Sequence, residues 1–185
     1  MAMTRDRYEA VAARAELLVS GEEMEAAIDG MAVAIAQALG EKDPLVLCVM
    51  TGGVIPVGRL LPRLDFQLRL DYVHATRYRG ATRGAELEWL RRPSAAVSGQ
   101  HVLVVDDILD EGFTLEAIVQ ACRADGAVSV HSAVLVEKDR PRVFQGRPDF
   151  VGVKVPDRYL YGYGLDYRDY FRNAPGIYAV ADEDR

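Results

Sequence analysis

Three aspartates crowd into the stretch Val102-Leu-Val-Val-Asp-Asp-Ile-Leu-Asp-Glu-Gly-Phe-Thr114. Asp106 and Asp107 follow directly on four apolar residues, which read as a buried strand with the acidic pair at its carboxyl end. An ionised carboxylate only accepts hydrogen bonds, so an adjacent pair suits the hydroxyls of a ribose diol. A loop with Asp110 and Gly112 comes next, and Thr114 opens a helix. Unpaired N–H groups at a helix N-terminus favour an anion, so the backbone of Glu111, Gly112, Phe113 and Thr114 is suited to cradle a terminal phosphate. In open α/β sheets ligands bind at that end of the strands. The chemistry implied is the holding of a phosphorylated sugar. The same spacing also fits an acidic turn in which Asp106, Asp107 and Asp110 cap the helix.

The surrounding elements must present this stretch. Ser20 and Glu23 form a capping box, and Met24, Ala27, Ile28, Met31, Ile35 and Leu39 recur at helical spacing until Gly40. Leu45 to Met50 is a short apolar run bounded by Pro44 and Gly52-Gly53, as for a strand buried on both faces. A helix from about Pro56 to Leu61 follows, and Leu68 to Val73 begins a second strand. The segment from about 74 to 92, rich in Arg, Gly and Thr, reads as an excursion from the core long enough to form a mobile lid. Val102 to Val105, the helix Thr114 to Ala124 closed by Gly126, and Val128 to Val136 make a βαβ unit. Phe150 to Val155 and the aromatic run after it read as strands and loops at one end of the sheet. The last residues, from Asp182, read as a frayed end. The fold class is α/β, with a mainly parallel sheet flanked by helices.

Bulk properties narrow the functional classes. A chain of 185 residues, half of them hydrophobic and 27% charged, suits a single soluble domain. A net charge of -6 disfavours generic nucleic-acid binding. No apolar run approaches the roughly 18 residues of a membrane span. Cys48 and Cys122 lack metal-ligand spacing and read as buried free thiols, which points to a reducing cytoplasm.

The pattern of apolar strand, two acidic residues, two apolar residues, Asp and a phosphate loop ending in Thr resembles the phosphoribosyl pyrophosphate motif of type I phosphoribosyltransferases. Further along, Pro148-Asp-Phe-Val-Gly152, Val155-Pro-Asp157, Gly162-Tyr-Gly-Leu-Asp-Tyr167 and Tyr170-Phe-Arg172 are similar to the hypoxanthine-guanine branch. The similarity covers about 20–178. It implies a twisted, mainly parallel sheet with a small hood over the base site, built from the chain ends and including about 156–172. It also implies a glycosyltransferase of purine salvage that moves the 5-phosphoribosyl group to hypoxanthine or guanine, giving IMP or GMP and pyrophosphate. Magnesium, a cytoplasmic location and a homodimer or homotetramer come with the resemblance.

Individual roles follow from it position by position. Asp106 and Asp107 hold the ribose hydroxyls, and Asp110 accepts the proton near the purine N7. Lys138 reaches the 6-oxygen; its ammonium only donates, which fits a 6-oxo purine and not the amino group of adenine. Without the resemblance Lys138 is an ordinary solvated lysine. Tyr159 stacks on the base and Leu160 lies near its exocyclic position. Asp166 supports the metal directly or through water, and Arg172 contacts pyrophosphate; either also suits a plain ion pair. Met50-Thr51-Gly52-Gly53 resembles a pyrophosphate loop, with Thr51 where relatives carry Lys. Glu111 stands where they carry Thr or Ser, putting a carboxylate beside the phosphate site. Tyr78 matches the lid tyrosine, preceded by Arg77 where Ser is usual; an exposed basic hairpin is the other reading of that segment.

Two alternatives remain at this stage. A regulator on the same fold would bind phosphoribosyl pyrophosphate or nucleotide together with RNA or DNA, although the roughly 20 residues before Ser20 are too few for a helix-turn-helix domain. An enzyme acting on xanthine is the other.

Overall fold

A computed structural model describes residues 2–77, 87–140 and 147–185. Helix α1 (Arg5–Arg14) and strand β1 (Glu16–Val19) precede the long helix α2 (Gly21–Leu39), whose capping box joins Ser20 and Glu23 in both directions. Strand β2 (Leu45–Met50), helix α3 (Val54–Leu60), and strands β3 (Arg69–Arg77) and β4 (Leu87–Arg91) follow. Then come β5 (His101–Leu109), α4 (Phe113–Ala124), β6 (Ser129–Asp139) and β7 (Phe150–Pro156), with the short β8 (Leu160–Tyr161) and β9 (Ile177–Ala179) last.

The main sheet has the order β4-β3-β2-β5-β6-β7, and all its pairings are parallel except β3 with β4. Alternation along the strands divides the core. Leu103 and Val105 of β5 pack in the cluster that contains α2 and α3, whereas Val102 and Val104 pack with α4. With helices on both faces, the parallel strands read as near-continuous apolar runs. The fold is a single α/β domain.

Two crossovers locate the site. From β2 the chain passes through α3 to β3 on one side, and from β5 it passes through α4 to β6 on the other. The connections diverge between β2 and β5, and a crevice opens at that point beyond the strand ends. Pairing of β2 with β5 stops at Cys48 opposite Val105, whereas β5 stays paired with β6 as far as Leu109 opposite Glu137. Asp106 and Asp107 therefore lie inside a strand longer than expected, on the part that has lost its β2 neighbour.

Several expectations change. Lys138 lies within β6, which runs beyond Val136 because it is paired on both sides. Segments 74–77 and 87–91 are paired with each other as parts of β3 and β4, and the rest of the expected lid, 78–86, lies outside the described residues. The C-terminus is not frayed. Asp182–Asp184 forms a 3-10 turn, and Asp184 is 1% exposed, bound by two nitrogens of Arg14 at 2.9 and 2.7 Å. Its backbone oxygen also accepts a 2.6 Å bond from Tyr167 Oη.

Strands β1, β9 and β8 form a separate antiparallel sheet that brings the two ends of the chain together. Val11 of α1 is buried there with Tyr161, Tyr167, Phe171 and Val180. Both cysteines are free and buried, and burial pushes each thiol up to about 11. Among the described residues, no helix is long and apolar enough to cross a membrane.

Candidate active site

Where β5 loses β2, the loop Met50 to Gly53 turns in beside it. Met50 and Thr51 are joined by a cis peptide bond, and Gly53 N–H donates to Val49 O at 2.9 Å. Gly52 packs so close to Asp107 that a β-carbon there would lie 1.8 Å from Asp107 Oδ2. Only glycine allows the loop backbone and this carboxylate to share the space.

Beyond Asp110 the chain must reverse into α4, and Gly112 does this with φ 85°, a left-handed conformation that costs glycine little. Gly112, the N-cap residue, has no side chain to cap the helix. The capping reading of the three aspartates fails, and the N-terminus of α4 lies at this end of the sheet, where its dipole favours an anion. The helix begins at Phe113, one residue before the expected Thr114.

A cavity of about 300 Å³ sits over this end of the sheet. Its walls include Gly52, Asp106, Asp107, Asp110, Glu111, Gly112, Phe113, Thr114, Asp166 and Arg172. A second cavity of about 170 Å³ adjoins it, lined by Lys138, Tyr159, Leu160 and Leu165 together with Asp107, Ile108, Asp110 and Asp166. The last four line both cavities. One half is therefore an acidic pair with a helix N-terminus, and the other is a slot with Ile108, Tyr159, Leu160 and Leu165 as its apolar walls and the Lys138 ammonium among the shared carboxylates. Asp110 stands at the junction.

Asp106 is buried and Asp107 beside it half-buried, and Asp107 N–H donates to Asp106 Oδ1 at 2.9 Å. Burial, then the neighbouring Asp107 charge, holds the Asp106 carboxyl well above its ordinary range. Burial raises Asp107 too, opposed by its hydrogen bond with Asp106 and by the Arg172 charge. Between the unfolded and the raised folded values, the folded pair binds more protons than the unfolded chain. Stability from this source is full below the unfolded carboxyl range and is lost as pH rises through the raised folded value.

Asp106→Asn is therefore expected to raise the melting midpoint of the ligand-free protein at about pH 8, by about 2–4 °C per kcal/mol relieved. The gain should shrink towards about pH 4, where the wild-type carboxyls are protonated. Equal midpoints at the higher pH would show that the carboxyl is not penalised.

Lys138 is 8% exposed, so it is not a solvated surface lysine. Its Nζ lies 3.3 Å from Asp110 Oδ2 and 3.6 Å from Asp157 Oδ1. Tyr159 is partly exposed at the mouth of the slot, its ring 5.4 Å from that of the fully buried Tyr167. Asp166 and Arg172 do form an ion pair, at 2.6 Å, and it lies inside the larger cavity; Arg172 also donates to Gly164 O at 2.6 Å. The exposed Thr51 is not among the cavity walls. Arg77 ends β3, and Tyr78 with the centre of the expected lid lies outside the described residues.

Sequence reasoning missed Arg140. It stands just after β6, with Nη1 2.7 Å from Asp110 Oδ1 and Nε 3.6 Å from Asp157 Oδ2. Its Nη2 is 3.8 Å from Glu111 Oε1. The two-residue period of a strand carried past Lys138 would have put Arg140 on the same side. Ile108 and Leu165 were also missed; they line the slot and carry no chemical signature.

Residues 15–168 match the family model of the phosphoribosyl transferase domain. The hypoxanthine-guanine-xanthine phosphoribosyltransferase of Tritrichomonas foetus is 32% identical over 162 residues, covering 87% of this chain and 88% of that protein. The hypoxanthine-guanine phosphoribosyltransferase of Bacillus subtilis is 29% identical, covering 88% and 91%. Among solved structures, a hypoxanthine phosphoribosyltransferase from Staphylococcus aureus superposes with a TM-score of 0.88 over 98% of both chains, at 24% identity.

Proposed function

The chain belongs to the phosphoribosyltransferase family, and from that premise we infer that it is an enzyme of purine salvage. It transfers the 5-phosphoribosyl group of phosphoribosyl pyrophosphate to hypoxanthine or guanine. The observation that carries this reading is the pair of adjoining cavities joined at Asp110, one built for a sugar phosphate and the other for a flat base.

In our reading, Asp106 and Asp107 accept the ribose hydroxyls, and the backbone of Glu111 to Thr114 holds the 5-phosphate against the start of α4. Gly52 and Arg172 face the pyrophosphate. Positive charge developing at the ribose C1 is stabilised by the neighbouring carboxylates, so that the purine nitrogen displaces pyrophosphate. Lys138, donor-only and almost dry, selects the 6-oxo group, while Tyr159 and Leu160 cover the ring. Asp110 takes the proton released near N7 as the new bond forms.

Magnesium suits this site as a companion of the substrate. Among the described residues no group of three His, Cys, Asp or Glu side chains could hold an ion alone. Magnesium commonly uses one or two carboxylates together with phosphate oxygens and water, and Asp166 is such a carboxylate. When bound, the ion would neutralise charge on the departing pyrophosphate.

Incubating the protein with magnesium, phosphoribosyl pyrophosphate and each of hypoxanthine, guanine, xanthine and adenine, and measuring nucleotide, tests the reading. Product is expected with hypoxanthine or guanine and not with adenine; the T. foetus relative makes xanthine the third base to try. No product with any base would sink the assignment. A regulator without catalysis is disfavoured because Lys138, Tyr159 and Asp166 are retained around one slot.

Glu111→Thr is expected to lower KM for phosphoribosyl pyrophosphate about two- to fivefold, the size of a solvent-screened charge interaction, with little change in kcat. Initial rates at varied phosphoribosyl pyrophosphate read this directly. A collapse of kcat would give the glutamate a positive role.

We also read the protein as a cytoplasmic homodimer or homotetramer. The exposed side chains of Val54, Leu70 and Tyr72 around one apolar surface cavity support association. Sedimentation velocity would reveal a monomer if that is wrong.

A further inference from the structure

Asp110, Arg140, Asp157 and Lys138 form a closed ring of alternating charge. Around it the separations are 2.7 Å from Asp110 to Arg140, 3.6 Å from Arg140 to Asp157, 3.6 Å from Asp157 to Lys138 and 3.3 Å from Lys138 back to Asp110. The two cations meet different oxygens of Asp110: Arg140 holds Oδ1 and Lys138 faces Oδ2. In the purine-transfer reading Lys138 turns to the 6-oxygen when a base arrives, which frees Oδ2 of Asp110 and leaves the Arg140 contact at Oδ1 in place.

We propose that Arg140 is a positioning residue for the transfer reaction, pinning Oδ1 of Asp110 so that Oδ2 is the oxygen presented to the incoming base. This rests on the purine-transfer reading above. A carboxylate held at one oxygen keeps its plane fixed when its other partner leaves, and displacing a reacting group by about 1 Å can cost on the order of a hundredfold in rate. Arg140 suits the task because its planar fork carries several donors. Nη1 takes Asp110 while Nε and Nη2 point towards Asp157 and Glu111. The pairing also gives Glu111 a counter-charge beside the phosphate loop. Arg140 is not itself among the residues that line the sugar cavity; it acts through Asp110, which is.

The test compares Arg140→Gln and Arg140→Lys with the unsubstituted enzyme, using hypoxanthine as base and magnesium throughout. For Arg140→Gln, kcat is expected to fall about 10- to 100-fold, while the Kd for phosphoribosyl pyrophosphate, measured by calorimetry, stays within about twofold. Retained sugar binding also shows that the variant is folded. Arg140→Lys should recover part of the lost kcat, since an ammonium reaches Oδ1 but cannot span to Asp157. An unchanged kcat in Arg140→Gln overturns the proposal. So does a weakened Kd with kcat intact, which would make Arg140 a substrate ligand, and so does a lysine variant as slow as the glutamine one. Failure of the purine-transfer reading looks different: the unsubstituted chain itself would form no nucleotide.

Discussion

Replacing Asp110 by Asn is expected to lower kcat about 10²- to 10⁴-fold, the usual contribution of a positioned proton acceptor, and to leave phosphoribosyl pyrophosphate affinity within a few-fold. The substitution preserves shape, so the two adjoining cavities keep their common wall. The remaining carbonyl oxygen can still accept from Arg140, which now holds Oδ1 at 2.7 Å. That orientation turns the amide NH2 towards Lys138 and the base, where a donor meets a donor and no lone pair is left for the proton. Single-turnover measurement with the sugar substrate prebound separates this step from binding. A rate equal to that of the unsubstituted protein would remove Asp110 from proton transfer.

Gly52→Ala is the second large effect. The added β-carbon would fall 1.8 Å from Asp107 Oδ2 and 2.2 Å from Asp107 Cγ. The least costly escape is rotation of the Asp107 side chain, not movement of β2 or β5, which are locked by parallel pairing. The damage should therefore fall on the site and spare the fold. Loss of one or two charged hydrogen bonds to the ribose, each about 1.5–3 kcal/mol, predicts a drop of at least about 100-fold in kcat/KM for phosphoribosyl pyrophosphate. Circular dichroism melting should stay close to wild type. Near-normal turnover would show that Asp107 is not required in its present position.

What the sequence revealed follows a physical line. The start of α2 and both bounds of β2 were legible because capping and apolar periodicity are local. The ends of β5 and β6 were not, since Asp106 to Leu109 and Glu137 to Asp139 are polar or mixed and stay extended only through pairing with neighbours distant in sequence. The same holds for the small sheet: β1 and β9 pair Glu16 with Ala179, and no window of sequence contains both. Asp182 to Asp184 look like a solvated acidic tail until Arg14 is placed beside them. Within the site, the acidic stretch and Lys138 were readable by type and spacing. Arg140 and the cis bond after Met50 were not; a non-proline cis bond has almost no sequence signal, and Arg140 gains meaning only from the charges around it.

The two buried thiols make the core observable from outside. Cys48 belongs to the cluster under α2 and α3, and Cys122 to the cluster under α4. Each is shielded and, with its thiol pushed up to about 11, almost wholly protonated near neutrality. Neither should be alkylated until its own face of the sheet opens. Labelling kinetics followed cysteine by cysteine would then time the opening of the two faces separately, using reporters that the chain already carries.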